Sequence, residues 1–140
     1  CTMCCETLPI PEIQKPASVL CKNCIENKGC DIYSSRPQSC INFDCVYIQS
    51  DDMGESLRPN ECGVTFEKVT TKIYFGKELP KNVGSWKKEN VSNYIKRLNK
   101  QGTSVVIASF TNTPTEYFLA DGHKKEMIQR IIMNEYEKLN

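Results

Sequence analysis

All nine cysteines of this 140-residue chain lie within its first 62 residues, at Cys1, Cys4, Cys5, Cys21, Cys24, Cys30, Cys40, Cys45 and Cys62. The stretch that carries most of them, residues 1 to 50, is broken by Pro9, Pro11, Pro16, Gly29 and Pro37 and shows little helical or strand periodicity. A segment so poor in aliphatic side chains does not readily offset a chain entropy of roughly 1–2 kcal/mol per residue. A structural zinc site, worth on the order of 10 kcal/mol in small modules, does. A disulfide framework would suit an even count in an exported domain. The count here is odd, no basic-then-apolar leader is seen, and metal ligation is therefore the expectation.

The spacing sharpens it. Cys1-x2-Cys4 and Cys21-x2-Cys24 are two short turns of the kind that supply a pair of thiolates to one ion, and Cys30, Cys40 and Cys45 follow singly. Eight thiolates divide into two sets of four, or serve one polynuclear cluster that the Cys4-Cys5 pair bridges; two centres, or a close pair, are the expectation. The adjacent Cys4 and Cys5 fit that division, because neighbouring side chains of extended backbone point to opposite sides and serve two centres better than one. The expected ligands are Cys1, Cys4, Cys5, Cys21, Cys24, Cys30, Cys40 and Cys45, holding Zn2+, with an iron–sulfur cluster as the alternative that spacing alone does not separate. Cys62, beside Gly63, reads as a small core residue.

These segments, CTMCC, then QKPASVLCKNC over 14–24, then GCDIYSSRPQSCINFDC over 29–45, resemble the zinc- or iron-chelating (YkgJ-like) family of cysteine-cluster proteins. Its hallmark is a CxxCxxCC cluster followed by C-x-I-Y-x-x-R-P-x-x-C. The likeness covers about residues 1 to 50, extends weakly to 58–64, and shows one CxxC step fewer. It implies metal binding and no particular reaction. It also draws attention to Arg36, between two cysteines, whose guanidinium would donate to thiolate sulfurs and offset their negative charge.

The rest of the chain reads as a different kind of object. Residues 51 to 62 are polar, carry Gly and Pro, and form a connector. From 63 onward a β-β-α-β-β-α order appears: strands over 63–70 and 71–76, a helix capped by Ser85 and running from Trp86 to about Asn99, a strand over 104–110, a turn at Asn112-Thr113-Pro114, a strand over 115–119, and a last helix. Val91, Tyr94, Ile95 and Leu98 make an apolar stripe on the first helix, which Gly102 ends. The last helix carries Met127, Ile128, Ile131, Ile132, Tyr136 and Leu139 on one side. The expected fold is α+β: an irregular cysteine-rich lobe beside a unit in which two antiparallel hairpins form one antiparallel sheet covered by two helices.

Charge divides at the same place. Residues 1 to 62 hold five Lys or Arg against nine Asp or Glu, and residues 63 to 140 hold thirteen against eight. Lys87, Lys88, Lys96, Arg97 and Lys100 with Trp86 invite a nucleic-acid reading, but the metal lobe is acidic and the helix reads as a solvated face. The lone His123 reads as a surface or capping residue, the Asp51-Asp52 pair as exposed, and no nucleophile–base set or phosphate loop is seen. Catalysis would enter only as redox chemistry on an iron–sulfur cluster. No apolar run is long enough to cross a bilayer. The expected setting is cytoplasmic, with metal ions, and at most a protein, as partners.

Overall fold

A computed structural model describes residues 1–25, 28–43, 45–108 and 114–137, the side chains of 136 and 137 excepted. The architecture is α+β. Its centre is a four-stranded sheet of β3 (Val64–Thr70), β4 (Ile73–Glu78), β5 (Ser104–Ala108) and β6 (Pro114–Phe118), in that spatial order. Before it come α1 (Met3–Thr7), a two-stranded hairpin of β1 (Cys24–Ile25) and β2 (Gly29–Cys30), and three one-turn helices, α2 (Gln38–Ile41), α3 (Val46–Gln49) and α4 (Pro59–Cys62). Two longer helices, α5 (Glu89–Lys100) and α6 (Lys125–Glu137), complete it.

The expected all-antiparallel sheet is instead mixed. β3 pairs antiparallel with β4 and β5 with β6, but β4 and β5, at the centre, run parallel, Ile73 opposite Ser104 and Lys77 opposite Ala108. The cause is α5: a strand, a crossover helix and a second strand in the same sheet make a parallel pair, whereas an antiparallel one needs only a short turn. The crossover also decides the layers. Val64 and Phe66 of β3 and Val105 and Ile107 of β5 pack on Val91, Tyr94, Ile95 and Leu98 of α5. Ile73 and Phe75 of β4 and Val106 and Ala108 of β5 face the other way, against Ile128 and Ile132 of α6. A strand buried on both faces has no polar face, which explains the unbroken run Val105–Ala108.

Local signals set the element ends. The α5 stripe is buried as its spacing implies. Gly102, at φ +78°, closes the helix with its N–H on Asn99 O (2.9 Å), while Thr103 N donates to Leu98 O (2.9 Å). The helix starts later than expected. Ser85–Lys87 form a separate 3-10 turn, Lys88 stands at the cap position with no side-chain cap, and the buried Glu78 carboxylate accepts from Gly84 N (3.1 Å) and Trp86 N (2.9 Å). Gly76 is where the sheet admits no side chain: a Cβ there would lie 2.7 Å from Ile107 Cδ1 and 3.0 Å from Phe66 Cε1. The end of the expected strand at 109–110, the turn at 112–113 and Leu139 lie outside the described residues.

The segment read as a connector supplies core. Met53, Leu57 and Cys62 are buried in the α5-side cluster together with Val46. Among the described residues no helix is long and apolar enough to cross a membrane.

Candidate metal centre

Four short segments carry the thiols of the first lobe. The opening CTMCC places Cys4 and Cys5 on α1, whose Met3 and Thr7 turn inward, Thr7 Oγ1 donating to Met3 O (2.8 Å). Helical backbone, not the extended chain expected from the sequence, therefore sets the two side chains about 100° apart. At the end of α1 the Cys21 N–H donates to Cys5 O (2.9 Å), which presses the second CxxC turn against the helix, and Cys24 N closes that turn on Cys21 O (2.9 Å).

Cys24 then enters the β1–β2 hairpin, where it stands opposite Cys30. The next pair outward is hydrogen-bonded, Asp31 N to Asn23 O (2.8 Å). In an antiparallel ladder bonded and unbonded pairs alternate, so Cys24 and Cys30 form the unbonded pair, the one with its side chains closer together. Gly29, at φ +121°, makes this short hairpin possible. Cys40 rides on α2. The Glu12 carboxylate fixes that helix from outside, accepting from Ser39 N (2.8 Å) and Ser39 Oγ (2.8 and 2.9 Å), and these bonds hold the Glu12 carboxyl below its ordinary pKa. Cys45 is buried and makes an antiparallel bridge with Glu67 on the outer edge of β3. Val46, one residue on, is already in the core.

The thiols act on one another. A hydrogen bond from Cys5 holds the Cys4 pKa below the ordinary thiol value, against burial and the neighbouring Cys45 and Cys40. The same bond, with burial, drives the Cys5 pKa far up, and Cys5 in turn receives a hydrogen bond from Cys24. Burial, then Cys5 and Cys21, push Cys24 up to about 11. Burial, then Cys21, Cys5 and Cys30, raise Cys40. Cys4 and Cys5 are thus each other's main partner, and Cys5 also receives the hydrogen bond of Cys24.

Seven of the eight expected ligands therefore share one neighbourhood: Cys4, Cys5, Cys21, Cys24, Cys30, Cys40 and Cys45. Cys1 is exposed at the start of the chain. None of the nine cysteines is in a disulfide. The donor set has the right chemistry for a thiophilic ion, but the cage is not closed: among the described residues no group of three or more His, Cys, Asp or Glu side chains stands ready to hold an ion. A tetrahedral zinc site needs its sulfurs ~3.8 Å apart, given zinc–sulfur bonds of ~2.3 Å. Loading would have to draw the thiols inward.

Cys62 is fully buried in the core, its Sγ 3.5 Å from Leu57 O and 3.3 Å from Val64 O. Arg36 lies with Cζ 3.7 Å from the centre of the Tyr33 ring, and its Nε is buried without a partner. His123 does more than cover surface. Its Nδ1 is 2.7 Å from Ser104 Oγ, which also accepts from Ala120 N (2.9 Å), so the pair latches the turn before α6 onto the start of β5. Ser104 is wholly buried, which removes its hydroxyl from any substrate. Of the basic residues on and before α5, Lys88 donates to Cys62 O (3.1 Å) and Arg97 pairs with Asp52 (3.3 Å).

One residue of the site has no signature in the sequence. Lys15 is buried, and its Nζ donates to the carbonyls of Glu6 (3.1 Å), Leu8 and Pro16 (3.0 Å). Burial lowers its pKa, while Cys21, Cys5 and Cys40 pull it back up. Nothing in the pattern QKP distinguishes such a lysine from a solvated one.

No family model, curated protein or solved structure matches the chain.

Proposed function

We propose that the first lobe binds zinc through cysteine thiolates, as two ions in a structural or storage role. One centre is drawn from Cys5, Cys21, Cys24 and Cys40, and a second starts from Cys4 and Cys45. The observation that carries the reading is that thiols of separate segments act on one another, Cys40 of α2 with Cys21, Cys5 and Cys30, and Cys5 of α1 with Cys24, with none of them in a disulfide. The resemblance of residues 1 to 50 to the YkgJ-like cysteine-cluster family supports it. An ion closed in by four thiolates has no position open to water, so the role is not hydrolytic. Thiols in this number persist in the reducing cytoplasm, where we place the protein.

The test is elemental analysis with a visible spectrum on protein purified without oxygen. Colourless protein with about two equivalents of zinc supports the reading. Brown protein with iron and acid-labile sulfide replaces it with an iron–sulfur cluster on the same thiols, and protein with neither metal ends it.

A further inference from the structure

Cys24 and Cys30 face each other across the β1–β2 hairpin, with Ile25 opposite Gly29 on one side and Asn23 bonded to Asp31 on the other. The bond from Asp31 N to Asn23 O (2.8 Å) makes the two cysteines a pair without hydrogen bonds of its own. In such a pair the Cα atoms stand ~4.5 Å apart and the side chains project from the same face of the ladder. A disulfide spans Cα atoms ~4.4–6.8 Å apart. The hairpin therefore holds both thiols within bonding reach and asks no movement of either strand.

Access sets this pair apart from its rival. Cys24 and Cys30 are both partly exposed, on a hairpin whose Ile25 is open to solvent, whereas Cys21, the other cysteine near Cys24 in the chain, is buried. The Cys21–Cys24 turn is closed by Cys24 N on Cys21 O (2.9 Å). A turn of that kind holds its ends only to within ~7 Å, a looser constraint than the ladder.

We infer that Cys24 and Cys30 form a reversible oxidation site that reacts with a low-molecular-weight disulfide. One of the two sulfurs attacks the reagent as a thiolate, the reagent's S–S bond breaks, and one small thiol leaves. The other sulfur then attacks the mixed disulfide, the Cys24–Cys30 bond forms, and the second small thiol leaves. Two protein thiols are oxidised, one disulfide is reduced to two thiols, and the two protons end on those thiols. A bond this near the surface is of the labile kind that small thiols reverse. The inference rests on strand register and goes beyond the metal-binding reading, which it meets at Cys24: a sulfur bonded to Cys30 is no longer a thiolate ligand.

The experiment uses the full chain, purified without oxygen, treated with equimolar oxidised glutathione, quenched with acid and alkylated. Trypsin and chymotrypsin then separate Cys24 from Cys21 at Lys22, Cys24 from Cys30 at Lys28, and Cys30 from Cys40 at Tyr33. Mass spectrometry is expected to find the 23–28 peptide linked to the 29–33 peptide at least about tenfold above its link to any other cysteine, and dithiothreitol is expected to undo that link. In concentrated urea the preference is expected to vanish, since the ladder that sets it is gone. Cys30→Ser is expected to leave Cys24 carrying glutathione, and Cys21→Ser to keep the Cys24–Cys30 link. The inference is overturned if Cys24 links first to Cys21 or to any other cysteine, if folded and urea-treated chains give the same links, or if both thiols stay free in excess oxidised glutathione. Should a variant not fold, the wild-type map decides. Zinc content measured on the untreated protein tests the metal-binding reading separately: its absence ends that reading and leaves the disulfide map standing.

Discussion

If the first lobe holds zinc as proposed, its removal by a strong chelator is expected to unfold residues 1–45 and leave the sheet standing. Three apolar side chains other than cysteine are buried in this stretch, Met3, Leu8 and Ile10, each contributing about 1.5–3 kcal/mol. A structural zinc ion contributes on the order of 10 kcal/mol, so its loss outweighs all three. Among the described residues, this stretch is tied to the body of the protein by the exposed ion pair of Lys81 with Glu6 (2.7 Å), of a type worth about 0–1 kcal/mol, and by the bridge of Cys45 to Glu67. Past Cys45 the balance reverses, because Val46, Met53, Leu57 and Cys62 are part of the α5-side core. Hydrogen exchange followed by mass spectrometry reads this directly. Peptides within 1–45 are expected to lose at least a hundredfold in amide protection, which needs only about 2.7 kcal/mol, while peptides from β4, β5 and α5 keep theirs. Unchanged exchange in 1–45 after elemental analysis shows the metal gone would refute the claim that metal orders this lobe, and joint collapse of the sheet would refute the boundary at Cys45.

Three further outcomes test particular residues. Cys24→Ser and Cys40→Ser are each expected to lose about one equivalent of zinc, whereas Cys62→Ser keeps both and melts lower, at a cost of about 1–2 kcal/mol for a hydroxyl in a core site. Elemental analysis and calorimetry separate them. Gly76→Ala is expected to destabilise by about 1–3 kcal/mol, since the new methyl meets Ile107, Phe66 and Val64 at once; denaturant titration with an unchanged midpoint would contradict that packing. Burial, reinforced by Tyr74 and Asp52, raises the Tyr94 pKa, with Arg97 opposing. The folded value lies above the unfolded value of about 10, so this contribution to stability is complete below pH ~10 and is lost as pH rises further. Tyr94→Phe is expected to flatten that part of the alkaline decline seen in wild-type melts, and identical profiles for the two proteins would count against it.

What the sequence revealed is what neighbours within one or two turns determine. The spacing of Val91, Tyr94, Ile95 and Leu98 names the buried side of α5, and Gly102 marks its end, because helical period and a left-handed closing residue are properties of a dozen consecutive positions. The confinement of cysteine to one part of the chain likewise separates a thiol-rich lobe from a sheet-and-helix body without reference to any fold.

Tertiary structure alone decided the rest. The alternation of Val64, Phe66, Ile73 and Phe75 is legible as strand, yet nothing in it says that the first two meet α5 and the last two α6, or that β4 and β5 run parallel. Both depend on where the crossover helix carries the chain. The same holds for the candidate site: that Cys5 bonds with Cys24, that Cys62 belongs to the core, and that Lys15 is buried on the carbonyls of Glu6, Leu8 and Pro16, all depend on segments brought together by folding. Charge and sulfur act through space over a few ångströms, whereas the order of residues records only distance along the chain.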